Sequence, residues 1–199
     1  MSPKTFIFIG RSGCGKGTQS HLLQEYISKK DNRKIVYIET GLEFREFIKN
    51  DGYSNKLSHE VYDRDERQPG FLACYMWTKA LLNNFTGEQN LFFDGALRSL
   101  PEARLFETVV NFYKLSKAIV IFIDVSREWS EMRLMERGRS DDLGKEKIAK
   151  RLDWFEKDTL PALDFLRASG CFNFVRINGE QTIEEVHQEI VNSVGPLLE

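Results

Sequence analysis

The chain predicts an α/β fold, a doubly wound five-stranded parallel sheet with helices on both faces, and three observations carry that expectation. Five short apolar runs, rich in β-branched and aromatic residues, do not alternate with polar ones, as expected of strands buried on both faces. Amphipathic helical stretches separate these runs, and strand–helix alternation argues for parallel crossovers. A glycine-rich turn, Gly10-Arg-Ser-Gly13-Cys-Gly15-Lys16-Gly17-Thr18, joins the first apolar run to the first helical stretch.

Taken in order, Thr5-Phe-Ile-Phe-Ile9 reads as a buried strand, and residues 21–27 after the glycines place apolar side chains at helical spacing. Further strands are expected at residues 35–38, 91–93, 118–123 and 172–177. Helices are expected over about 71–83, from near Pro101 to near Tyr113, after Ser126, from Lys145 to about Arg167, and from Thr182 onward. Ser99 with Pro101 and Glu102 makes a helix start with proline in the first turn. Asn178-Gly179 marks a loop, and Thr182-Ile-Glu-Glu185 has a capping-box pattern. Two polar stretches, 51–70 and 138–145, fit the alternation poorly. They read either as surface loops or as covers over the carboxyl ends of the strands, where ligands of such sheets bind.

With 199 residues the chain can build one sizeable α/β core, and a net charge of −2 argues against gripping nucleic acid by overall charge. Cys14, Cys74 and Cys171 are far apart and odd in number, so they suggest neither a metal-spaced pair nor a disulfide framework and fit a reducing cytosol. His21, His59 and His187 are equally scattered. Met1-Ser-Pro-Lys runs straight into the first strand without an apolar leader, and no apolar stretch approaches the roughly 20 residues of a membrane helix. The expectation is a cytoplasmic protein with neither a nucleic-acid nor a membrane partner.

The glycine-rich turn points several backbone N–H groups into one small volume at the positive end of a helix dipole, which suits a polyphosphate. Lys16 is placed to reach β- and γ-phosphates, and the Thr18 hydroxyl to approach magnesium. Such a set of glycines, lysine and threonine arises by chance about once in 10⁵ chains of this length. Cys14 inside the loop is either a redox-sensitive thiol or a small tolerated residue. Asp94, ending one strand ahead of Gly95, either holds magnesium directly or through water, or simply forms an Asp-Gly turn. Arg45, Arg98, Arg133, Arg137, Arg139 and Arg151 each fall after a strand, in a helix following one, or beside a polar loop. As a set beside a phosphate loop they suggest anion binding, because a guanidinium grips phosphate through two parallel hydrogen bonds.

These residues together resemble the adenylate kinase family of nucleoside monophosphate kinases, in its short-lid form, over nearly the whole chain. The similarity lies in Gly10 to Gln19, in Thr40-Gly41 with Arg45, in Asp94-Gly95-Ala-Leu-Arg98-Ser-Leu-Pro-Glu-Ala103, in Arg133-x-x-x-Arg137-Gly-Arg139-Ser-Asp141-Asp142, in Arg151-Leu152 and in Asn178-Gly179. The resemblance implies a P-loop NTPase-type core spanning 1–199 as one domain, with an acceptor-binding insert at about 40–70 and a short lid at about 137–145. It implies ATP and a nucleoside monophosphate as partners, magnesium as cofactor near Thr18 and Asp94, and a monomer.

By the same resemblance Gly13, Cys14, Gly15, Lys16, Gly17, Thr18, Arg133, Arg137 and Gly179 would bind ATP. Thr40, Gly41, Arg45, Gly95, Arg98, Glu102, Arg139 and Arg151 would bind the acceptor nucleotide. Lys16, Arg98, Arg137, Arg139 and Arg151 would be catalytic, the last three surrounding the transferring group, and Asp141 with Asp142 would hold the lid closed. Three departures from the family pattern stand out: Glu39 and Leu42 flank Thr40-Gly41, Ala96-Leu97 replaces Phe-Pro, and Glu102 replaces an adenine-reading glutamine. A carboxylate only accepts hydrogen bonds, which on simple pairing suits guanine better than adenine, unless Glu102 merely caps the helix after Ser99. The alternatives are an ATP-binding regulatory protein without turnover and a kinase for another phosphorylated small molecule.

Overall fold

The computed structural model describes residues 3–137 and 144–198. Five strands form one all-parallel sheet, β1 (Thr5–Gly10), β2 (Ile35–Glu39), β3 (Asn90–Asp94), β4 (Ala118–Asp124) and β5 (Phe172–Asn178), in the order β2-β3-β1-β4-β5. The expected α/β sheet is therefore present, with every strand running a residue or two beyond its apolar run. Those extra residues matter for function, since Gly10, Glu39, Asp94, Asp124 and Asn178 bring polar or glycine termini to one edge. Register aligns Glu39 with Asp94 and Phe8 with Asp94, so β1 continues two residues beyond β3 and delivers its loop above the sheet.

Along β1 successive side chains go to opposite faces. Phe6 and Phe8 pack with Leu23 and Ile27 of α1 (Lys16–Ser28) and with Val186 and Ile190 of α9 (Ile183–Val194). Ile7 and Ile9 join the opposite core, beneath α4 (Gly70–Asn84), α5 (Leu100–Phe112) and α8 (Leu160–Ala168). There Trp77, Phe93 and Phe106 meet with ring centroids 5.0 to 6.4 Å apart, contacts worth ~1 kcal/mol each beyond their buried area. Both faces are covered, which is why the strands read as continuous apolar runs. The capping box of α9 forms as expected, with the Glu185 amide donating to Thr182 Oγ1 and the Thr182 amide donating to Glu185.

Two expectations need correction. The polar stretch 51–70 is largely helical, containing α3 (Tyr53–Asp63) after the short α2 (Thr40–Phe47). Polar bonds hold α3 in place: Asn55 Nδ2 donates to the Phe47 carbonyl at 2.7 Å, and Ser58 and Gln68 exchange two bonds of 2.8 Å. Tyr53, Leu57 and Val61 recur every four residues, but only Ser58 of α3 is buried, so this short stripe is left outside the core and is diluted by the polar residues around it.

The single helix expected over 145–167 is instead α7 (Lys145–Trp154), a π-helical turn (Phe155–Thr159) and α8. Pro161 has no N–H to return to the preceding turn, and the backbone widens just ahead of it. The remaining helix, α6 (Arg127–Arg137), follows β4. Among the described residues no helix is long and apolar enough to cross a membrane.

Candidate active site

The loop between β1 and α1 leaves the sheet at Gly10 and enters the helix at Gly15, with Gly13 and Gly15 at φ +87° and +91°. Only glycine adopts that left-handed backbone without strain, so the loop can curl its amides inward. No acidic residue occupies the first turn of α1, which keeps the positive end of its dipole available. Lys16 Nζ arches over the loop and donates to the carbonyls of Gly10 and Arg11, each at 2.9 Å, so the ammonium is held at the loop mouth. The Cys14 thiol is buried beneath it, with Sγ 3.6 Å from Nζ. All three cysteines are free thiols.

Across from the loop, Asp94 ends β3 with its Oδ2 accepting from the Tyr37 hydroxyl at 3.3 Å. Burial, reinforced by the Asp94 and Glu39 carboxylates, pushes the Tyr37 phenol well above its ordinary value and keeps it a neutral donor. Gly95 follows at φ +79°, and a Cβ there would collide with the Arg98 guanidinium. Leu97, buried, also has a positive φ of +57°. The backbone between Asp94 and Arg98 is thus bent to turn Arg98 back over the strand ends.

Arg98 lies deep in the cleft, yet solvent reaches it there. Desolvation lowers its pKa from the usual arginine value, opposed by Asp94 and Glu102, with Arg151 and Arg67 adding like-charge repulsion. Arg45, on α2, pairs with Glu39 at 2.7 Å. Arg133 lies 5.3 Å over the Trp129 ring on α6. Gly179 donates its amide to the Asp124 carbonyl at 2.8 Å, pressed so close to Val125 that a side chain would not fit.

One cleft of about 1080 Å³ gathers these groups. The phosphate loop, Thr18, Gly179, Arg133 and Arg137 line it. Thr40, Gly41, Arg45, Asp94, Gly95, Arg98, Glu102 and Arg151 line it as well. Asn178 does not line the cleft; its side chain accepts from the Glu180 amide instead. Arg139, Asp141 and Asp142 lie outside the described residues.

A family model described as adenylate kinase matches residues 8–171, a span that contains the loop, the cleft arginines, strands β2 to β4 and the end of β1. This chain belongs to the adenylate kinase family. It is 30% identical over 196 residues to an adenylate kinase of Parabacteroides distasonis, covering 94% of this chain and 97% of that one. It is 27% identical over 195 residues to an adenylate kinase of Flavobacterium psychrophilum, covering 94% and 98%. It is 29% identical over 189 residues to adenylate kinase 1 of a Nostoc species, covering 95% and 97%.

Within this adenylate kinase frame the three departures have definite surroundings. Glu39 holds Arg45, and Ala96 and Leu97 are both fully buried. Glu102 is 2% exposed, and its Oε1 accepts from the Ser99 hydroxyl at 3.0 Å. Burial raises the Glu102 pKa, while the Ser99 bond and the charges of Arg98 and Arg67 resist the rise. A carboxyl whose folded pKa exceeds its unfolded one contributes stability below the unfolded value and loses it as pH rises through the folded value. Glu102→Gln, which does not titrate, should therefore gain stability over wild type by a margin that widens from pH 4 to pH 8. Urea unfolding at both pH values measures that margin, and a constant margin contradicts the buried-carboxyl account.

The cleft residues that sequence reasoning missed include Tyr37, Arg67, Trp129 and Thr159. Arg67 stands in a charged run where nothing local distinguishes it from a solvated arginine. Tyr37 was counted only as part of an apolar strand.

Proposed function

We propose that this chain is a nucleoside monophosphate kinase that moves the γ-phosphoryl group of ATP reversibly to AMP, yielding two molecules of ADP. The observation that carries this reading is that one cleft is lined by a phosphate loop, Asp94, Arg45 and Arg98 together. A phosphate loop alone suits any nucleotide hydrolase, whereas two further arginines in the same cleft suit an acceptor that already bears phosphate. The acceptor phosphate is ionised near neutral pH, so no general base is needed, and positioning with charge stabilisation does the catalysis.

In this reading Gly13, Cys14, Gly15, Lys16, Gly17 and Thr18 hold the donor phosphates, and Arg133 with Gly179 borders the donor base. Arg45 exchanges Glu39 for the acceptor phosphate, sharing it with Arg98 beside Thr40, Gly41 and Gly95. Arg137 and Arg151 close on the transferring group, joined by Arg139 of the lid.

Magnesium bound with nucleotide keeps most of its waters and takes one or two protein groups besides phosphate oxygens. Thr18, exposed in the cleft, and the Asp94 carboxylate at the strand end fit that modest demand. Among the described residues no larger cluster of His, Cys, Asp and Glu offers a protein-only cage. The bound ion would neutralise phosphate charge as it develops.

The test is phosphotransfer from ATP with magnesium to AMP, GMP, CMP, UMP and dTMP. ADP formation from AMP is the expected result. The Glu102 carboxylate favours a second reading, GMP as acceptor, which predicts turnover with GMP and not AMP. Retained ATP binding with silence across the panel would refute a nucleoside monophosphate kinase.

A further inference from the structure

Adenine offers a ring nitrogen, N1, that accepts a hydrogen bond beside a 6-amino group that donates one. A carboxylate at Glu102 can serve the amino group and leaves N1 unmatched. The missing donor stands next to it. Arg67 Nη2 is 3.6 Å from Glu102 Oε1, and the Arg67 side chain keeps 30% of its exposure in the cleft, against 2% for Glu102.

Arg67 is anchored rather than loose. Its Nη1 pairs with Asp158 of the π-helical turn, and its Nη2 donates to the Arg98 carbonyl at 3.2 Å. The next residue of that turn, Thr159, donates to the same carbonyl at 2.9 Å. These bonds engage two of the five guanidinium N–H groups, so the fork keeps donors for a ligand.

We infer that Arg67 is a specificity-determining residue of the acceptor site, forming with Glu102 a split reader of adenine in which the guanidinium donates to N1 and the carboxylate accepts from the 6-amino group. This rests on the AMP reading above. Guanine reverses the order of donor and acceptor along that edge, so the same pair in the same places cannot read both bases equally. Asp158 and the Arg98 carbonyl act here as positioning groups that hold the fork against the base.

Steady-state phosphotransfer from ATP to AMP, to 1-deaza-AMP (carbon in place of N1) and to GMP tests this on the full chain. Wild type should prefer AMP over 1-deaza-AMP in kcat/KM by about tenfold or more, the scale of one matched hydrogen bond in a desolvated site. In Arg67→Met that ratio should fall to about unity, with KM for ATP nearly unchanged. Adding Glu102→Gln should restore it, because the amide carries its own donor.

A purely structural Arg67 would lower both activities together and leave the ratio at its wild-type value, which overturns the inference. Wild type with equal kcat/KM for AMP and 1-deaza-AMP overturns it without any variant, so the test survives if Arg67→Met fails to fold. Wild type that accepts GMP and refuses AMP overturns the proposed acceptor itself.

Discussion

Alanine at Lys16 should reduce phosphotransfer by about 10³-fold, close to 4 kcal/mol of transition-state stabilisation, with most of the loss in kcat. The ammonium is already held at the mouth of the phosphate loop by the Gly10 and Arg11 carbonyls, so little reorganisation separates its resting place from a bound phosphate. A cation fixed before the reaction stabilises charge that develops during it, and solvent replaces such a group poorly. The fold should survive, because the substitution removes no buried apolar contact and Gly10, one of the two residues whose carbonyls are released, lines the open cleft. Thermal unfolding together with kcat and KM for ATP separates the two effects. A kcat within tenfold of wild type would remove Lys16 from the phosphoryl-transfer step.

The second large effect is expected at Arg98. Arg98→Ala should lower kcat/KM for the acceptor by about 10²–10³-fold, raise the acceptor KM, and leave KM for ATP within about twofold. The guanidinium feels the Asp94 and Glu102 charges and is turned back over the strand ends by the bent backbone at Gly95 and Leu97. Lysine should recover little of the loss, since a point charge cannot form two parallel bonds to one phosphate. Asp94 and Glu102 are themselves buried, so losing this neighbouring charge should also lower stability, and thermal unfolding beside the kinetics separates the two effects. Full activity in Arg98→Ala would refute its acceptor role.

How far the site could be read beforehand depended on the range of the forces involved. The phosphate loop was legible because everything it needs is local: glycines for two positive φ angles, a lysine one residue into the helix, and an apolar strand before it. The strands were legible because burial on both faces imposes continuous apolar runs. Helix α3 was not, since it is held by Asn55 on the Phe47 carbonyl and by Ser58 with Gln68 rather than by burial of an apolar face. The π-helical turn was hidden inside a helical pattern, although Pro161 marked where it would have to end.

The sequence by itself determined a parallel α/β sheet, a phosphate loop at the end of its first strand, and a set of arginines suited to anions. Periodicity, turn chemistry and capping act within a few residues, and so they can be read in order along the chain. Tertiary structure alone decided which arginines share a carboxylate, that Arg45 rests on Glu39, and that Arg67 stands beside Glu102. The contacts that place Arg67 and Arg98 join residues 91 and 61 positions apart. Such pairs form only when strand order and register bring distant segments to one edge of the sheet, and no local pattern encodes that meeting.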